Sequence, residues 1–167
     1  MELWDLYDKN RMPLHQTHVR GVPLPDGAYH LVVSIWTMND KGELLTTLRS
    51  PEKEEEPNLW ENTAGSAIAG EESRTSAARE LWEETGIRLD PVELTFLGTI
   101  WEENSFIDCY AAHVNIDVQE LVMLEGETVD AAWRTIPEFE QLIQDGKVAI
   151  SVMRRYAFVK EHLIKRS

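Results

Sequence analysis

One stretch of this chain narrows the choice of fold more than any other. Glu72–Thr85 contains neither proline nor glycine and is rich in Ala, Leu, Glu and Arg, residues that lose little on entering a helix. Gly86 follows directly, where a residue able to turn left-handed ends a helix. Residues three and four apart are helical neighbours, so Glu80, Glu83 and Glu84 project together from one side. Ala77, Ala78 and Leu81 lie on other sides, suited to packing on a sheet. Such a helix needs a sheet beneath it and a partner for its carboxylates.

The strands of that sheet stand on either side of it in the sequence. Ala28–Met38 reads as a strand, and Leu31-Val32-Val33-Ser34-Ile35-Trp36 within it is nearly all apolar, as expected of a strand covered on both faces. Asn39-Asp40-Lys41-Gly42 marks a turn, with Glu43–Arg49 as the hairpin partner. Leu94–Trp101, Phe106–Val114 and the weaker Val129–Thr135 add three strands. Pro137–Gln144 reads as a short helix, with proline in its first turn and Gly146 past its end. Val152, Tyr156, Val159 and Leu163 share one face of a C-terminal amphipathic helix. Hairpins mixed with helices, and few regular βαβ units, imply an α/β sandwich around a mixed β-sheet.

A chain of 167 residues suits one domain, and at this size about 70% of the unfolded surface is buried on folding. No repeat or Pro/Gly/Ser-rich linker divides it, so residues 1–167 are expected to form a single domain. Two stretches break the pattern: the charged loop Pro51–Asn58 and the segment before the first long strand. Residues 1–26 then form an N-terminal extension, with an extra strand, a lid or a homodimer contact as the roles open to it.

Charge excludes some partners. Sixteen Lys and Arg against 30 Asp and Glu leave a net charge of −14, which disfavours non-specific binding to a nucleic acid polymer or an anionic membrane. A phosphorylated small molecule would need a cation between itself and this protein. The single cysteine, Cys109, cannot form an internal disulfide or a Cys-rich zinc site, and its apolar setting predicts a buried thiol. No apolar run approaches the ~20 residues of a membrane span. Met1–Asp5 carries early acids and no apolar core of a secretory leader. A cytoplasmic protein is expected.

Like charges at the spacing of Glu80, Glu83 and Glu84 oppose a helix by roughly 0.2–0.5 kcal/mol per pair and raise one another's proton affinity. A hard divalent cation reverses both effects, and Mg²⁺ and Mn²⁺ favour oxygen ligands. Taken alone, the three glutamates favour a solvated helix face, since such faces are common and the penalty is small. The loop entering the helix alters that balance. Gly65 and Gly70 permit close backbone approach, and Glu71 stands where it can fold back onto the Arg79 guanidinium.

The segment Gly65–Ile87 resembles the Nudix box: a glycine, five residues, a glutamate, seven residues, then Arg-Glu-aliphatic-x-Glu-Glu-x-Gly-aliphatic. Gly65, Glu71, Arg79, Glu80, Leu81, Glu83, Glu84, Gly86 and Ile87 occupy its defining positions. A looser resemblance extends over residues 28–145. It implies an α/β/α sandwich with the box as a loop–helix–loop, and hydrolysis of a nucleoside diphosphate linked to another moiety. It implies Mg²⁺ or Mn²⁺ held by Glu80, Glu83 and Glu84, with the Ala64 carbonyl as a further ligand; many relatives carry glycine at that position. Arg79 and Glu71, with Gly65 and Gly86, would hold the box together. The proton from the attacking water would pass to Glu80 or Glu83, or to a glutamate outside the box, here Glu127 before Glu125. Arg49 and Lys53, flanking the charged loop, are candidates for the substrate's outer phosphate. Core and groove packing is the better reading for most of the six tryptophans, with a base-stacking platform as the alternative.

His30–Trp36, Asn39–Leu45 and Trp60-Glu61-Asn62-Thr63 also resemble the Nudix branch that contains isopentenyl diphosphate isomerase. That enzyme uses a cysteine shortly after its Trp-x-Asn segment and binds metal partly through histidines, for which His30 and His18 would be the counterparts. Thr63-Ala64-Gly65-Ser66 follows here, without cysteine. The expectation is isomerase-like lineage with hydrolytic chemistry. A non-catalytic nucleotide-sensing module is the third reading, and the complete set of box carboxylates argues against it.

Overall fold

The computed structural model describes residues 1–165. In chain order the elements are β1 (Leu3–Tyr7), β2 (Pro13–Val19), β3 (His30–Met38), β4 (Leu44–Arg49), β5 (Trp60–Glu61), β6 (Thr63–Ser66), α1 (Ser73–Thr85), β7 (Thr95–Glu102), β8 (Ser105–His113), β9 (Thr128–Arg134), α2 (Ile136–Gln144) and α3 (Ile150–Ile164). The strands and helices expected from sequence all form, with ends moved by a residue or two. Helix α1 starts at Ser73 because Glu72 keeps an extended backbone (φ −75°, ψ 147°). It stops where Gly86 turns left-handed (φ 75°) and its N–H reaches the Trp82 carbonyl.

β3 and β8 run parallel in unbroken register from His30↔Ser105 to Met38↔His113. β7 pairs antiparallel with β8, and β6 with β3. β4 meets β3 only at the hairpin base, Met38↔Leu44, and pairs instead with β9 and β5. The mixed sheet therefore splits where β3 and β4 diverge. The chain crosses that split between β5 and β6, and buried Asn62 pins the crossing. Its Nδ2 donates to Ser34 Oγ (2.9 Å), the Ile35 carbonyl (3.0 Å) and the Thr63 carbonyl (3.1 Å).

The period of two along β3 divides the core into two layers. Val33 and Ile35 pack with Ala77 and Leu81 of α1. Trp36 and Met38 pack with Phe139 of α2 and Val152, Tyr156 and Val159 of α3. The result is an α/β/α sandwich around a mixed sheet. Each fully buried side chain of this kind contributes roughly 1.5–3 kcal/mol.

Residues 3–19 fold as a separate two-stranded hairpin, β1–β2. Mutual backbone bonds of 2.8 Å between Tyr7 and Tyr29 hold it to the main body. Asp5 accepts a bond from the Gly70 N–H (2.7 Å), and the Leu3 carbonyl one from the Ala69 N–H (2.7 Å). The extension is thus an added pair of strands clamped onto the loop that leads into α1.

Cys109 is fully buried on the α2/α3 side, and burial pushes its thiol up to about 12. A thiol-specific reagent should leave Cys109 unmodified in the native protein and label it stoichiometrically in denaturant. Rapid labelling under native conditions would show the thiol to be accessible. Most tryptophans pack as expected. Trp36 is in the core, Trp4 stacks on His30, Trp60 lies under Arg134, and Trp133 donates to the Ile116 carbonyl. Trp82 and Trp101 are exposed. No described helix is long and apolar enough to cross a membrane.

Candidate active site

Arg79 organises the loop and helix around itself. Its Nε donates to both Glu71 oxygens (3.1 Å each), its Nη1 to Glu80 (2.7 Å) and Glu83 (3.0 Å), and its Nη2 to the Ser66 carbonyl (3.1 Å). Burial opposes the guanidinium charge, but the Glu71 bonds and the field of Glu80 outweigh it and raise the Arg79 pKa. Burial likewise works against ionised Glu71, whose bonds from Arg79 and Ser76 more than compensate and lower its pKa. The loop–helix junction is therefore tied by one cation at the centre of three carboxylates and a carbonyl.

The Glu80 carboxylate lies directly against Gly65 on β6. A methyl group built on Gly65 would occupy the same space as the carboxylate, so any larger residue there would push Glu80 out of this position. Glu83 is more exposed and, among the described residues, bonds only Arg79. Glu84 faces inward. Burial raises its pKa well above the carboxylate range, and the negative charges of Glu61 and Glu80 add to the effect. Burial also raises Glu80, against the pull of Arg79 and with a contribution from Glu83. Glu61, at the end of β5, is raised by burial and held back by Arg49. Nothing in the sequence alone marks Glu61 as part of this group. It stands inside the Trp60-Glu61-Asn62 motif, and only the strand crossing brings it to Glu84.

Glu127 also reaches this group, since its charge acts on both Glu84 and Glu61. Its side chain is ion-paired with Lys53, and its carbonyl accepts the Ser50 N–H (2.8 Å). Glu125 is exposed in the preceding turn. Arg49 lines the neighbouring cleft together with Glu61, Ala64 and Gly65. Its nitrogens are engaged by Glu61 (2.7 Å) and the carbonyls of Glu55 (2.7 Å) and Glu56 (3.0 Å). Arg49 thus shapes the charged loop as well as the cleft. His30 is buried under Trp4, with ring centroids 4.0 Å apart, and burial with the nearby Arg20 charge lowers its pKa to about 4. His18 bonds the Val22 carbonyl (3.0 Å). Among the described residues, no hydrogen bond joins either histidine to Glu80, Glu83 or Glu84.

The donor chemistry here suits a hard divalent cation: carboxylate oxygens of Glu80, Glu83 and Glu84 beside the Ala64 backbone, with no thiolate among them. Among the described residues no three ligand-type side chains already enclose an ion, because Glu80 and Glu83 are turned onto Arg79. Cation binding requires at least one of them to exchange the guanidinium for the ion.

Residues 28–156 match the family model of the Nudix domain. A Nudix hydrolase of Listeria monocytogenes is 36% identical over 148 residues, 88% of each chain. An isopentenyl-diphosphate Delta-isomerase of Paenarthrobacter aurescens is 35% identical over 94 residues, 56% of this chain and 51% of its own. The crystal structure of DR0079 from Deinococcus radiodurans superposes with a TM-score of 0.75 at 21% identity, covering 89% of this chain and 92% of that one. The box geometry thus sits in a chain that shares most of its length with such proteins, and the chain belongs to the Nudix family, as one of its hydrolases.

Proposed function

We propose that this enzyme is a Mg²⁺- or Mn²⁺-dependent hydrolase of the diphosphate bond in a nucleoside diphosphate-linked or related small molecule, working in the cytoplasm. One observation carries the reading most: Glu84, disfavoured as an anion by burial, also feels the charges of Glu61 and Glu80, and Glu61 lines a cleft with Ala64 and Gly65, against which the Glu80 carboxylate lies. Crowded carboxylates of this kind are costly unless positive charge joins them. In this reading Glu80, Glu83 and Glu84, with the Ala64 carbonyl, hold the ion. Bound there, it would offset phosphate charge and acidify an attacking water.

The protein's own groups supply the rest. Arg79 and Glu71 keep the box loop and helix in one geometry. Glu127 is the candidate to take the proton from water, once Lys53 turns from it toward substrate phosphate. Glu61 is an alternative base. The isomerase reading fares worse on the chemistry of Cys109, which is sealed in the core.

The test is a panel of nucleoside diphosphate compounds with Mg²⁺, followed by release of nucleoside monophosphate. Turnover is expected to vanish with EDTA and to return with added Mg²⁺ or Mn²⁺. Hydrolysis undiminished by chelation would overturn the metal-dependent reading, and proton exchange into isopentenyl diphosphate without hydrolysis would favour the isomerase.

A further inference from the structure

The cleft beside Gly65 has a second end that the carboxylates do not explain. Arg20 from the end of the β1–β2 hairpin and Arg155 from α3 line it with Arg49, in a chain of net charge −14. Arg155 is 8% exposed. Its Nε and Nη2 are held by Glu102 (3.1 and 3.0 Å), and its Nη1 makes no hydrogen bond among the described residues. Among the described residues the Arg20 guanidinium spends only Nη1, on Glu2 (3.0 Å). Each guanidinium is thus anchored by one carboxylate and keeps donors free, the arrangement that pre-organises arginine for an incoming oxyanion.

The start of α3 points the same way. Bonds from the Trp60 N–H to the Lys147 carbonyl (2.8 Å) and from the Ala149 N–H to the Trp60 carbonyl (3.0 Å) dock it beside β5. The Glu56 side chain takes the Ile150 N–H (2.6 Å), whereas Ser151 and Val152 line the cleft, and the N-cap residue Ala149 offers no side-chain bond. First-turn amides lack partners within their own helix. The cleft measures about 190 Å³, below the ~300–1,000 Å³ of pockets that enclose a whole drug-sized ligand. It suits one compact anionic group.

We propose that this cleft seats a terminal phosphate through Arg20 and Arg155, so that the preferred substrates end in a free phosphate instead of a neutral cap. The proposal deepens the hydrolase reading and rests on it. The cleavable diphosphate lies at the carboxylate end, against Glu80 and Gly65, and its outer phosphate reaches toward the two arginines.

The experiment compares uridine diphosphate with its glucose ester in Mg²⁺, for the wild type, Arg20→Gln and Arg155→Lys. The ratio of kcat/KM for the free diphosphate over the capped one should fall about tenfold in each variant, the scale of one charge-assisted hydrogen bond. Calorimetric titration of inorganic phosphate in EDTA should show affinity weakened by a similar factor. Arg20 is an exposed hairpin residue, so its variant stays informative if Arg155→Lys fails to fold. A ratio and a phosphate affinity unchanged in Arg20→Gln overturn the cleft while leaving metal-dependent hydrolysis standing. Absence of any metal-dependent turnover sinks the hydrolase reading instead, and the phosphate titration then decides the cleft alone.

Discussion

Replacing Glu84 by glutamine should cut turnover by at least about a hundredfold while making the protein more stable. The two effects have one cause. Glu84 is an inward-facing carboxylate beside Glu61 and Glu80, and both burial and those charges oppose its ionisation. Glutamine keeps the shape and removes the charge. Loss of one anionic ligand in a metal-assisted hydrolysis costs several kcal/mol of barrier, and each ~1.4 kcal/mol is tenfold in rate. The folded state meanwhile sheds a charge repulsion worth about 1 kcal/mol, or roughly 2–4 °C in Tm at this size. Added Mg²⁺ should raise the Tm of the wild type and leave that of Glu84→Gln almost unmoved. Calorimetry with and without Mg²⁺, beside steady-state kinetics, checks both signs. A variant that is active, or inactive but destabilised, would count against Glu84 as a cation ligand under strain.

The second large effect lies away from the carboxylates. Asp108 on β8 is almost fully buried and accepts from Arg11 (2.6 Å to Oδ1), Thr99 (2.6 Å) and Ser73. One side chain thereby joins the N-terminal hairpin, β7 and the first turn of α1. Arg11→Met should destabilise the protein by about 3 kcal/mol, because it strands a buried charge, and should lower Tm by roughly 6–12 °C. The dependence on pH follows from the same contacts. Burial opposes ionised Asp108, but the bonds from Arg11, Ser73 and Thr99 prevail and depress its pKa below the ordinary 3.8. Its contribution is therefore complete above that value and disappears as pH falls through the depressed native one. Without Arg11 its bond and charge no longer oppose burial, and ionised Asp108 contributes less to the folded state. The Tm gap between wild type and variant should be widest at neutral pH and shrink in acid. A gap that stays constant with pH would show that Arg11 acts through packing alone.

What could be read in advance follows the range of the forces involved. Helix α1, its glycine stop and the inward set of Ala77 and Leu81 depend on neighbours three or four residues away, and all are present as expected. So is the Glu71–Arg79 pairing, which spans only eight residues. In sequence Glu127 stands only as a glutamate near the end of a turn; its approach to Glu84 and its pairing with Lys53 depend on β9 lying beside β4. From sequence, Arg49 is a candidate to face substrate. The structure puts it at the cleft and also gives its nitrogens to Glu61 and two loop carbonyls. A loop's backbone direction is not written in its composition.

The order of residues alone determined the helix, the strands, the box and its oxygen-rich chemistry, because periodicity and fixed spacing are local properties of a chain. Only the tertiary structure decided that Glu61 would stand beside Glu84, and that Arg20 and Arg155 would share a cleft with Gly65. These groups come from a hairpin, a two-residue strand and a C-terminal helix. Their meeting depends on where the sheet splits and how both layers pack against it, and that is a balance of burial across the whole molecule that no short stretch encodes.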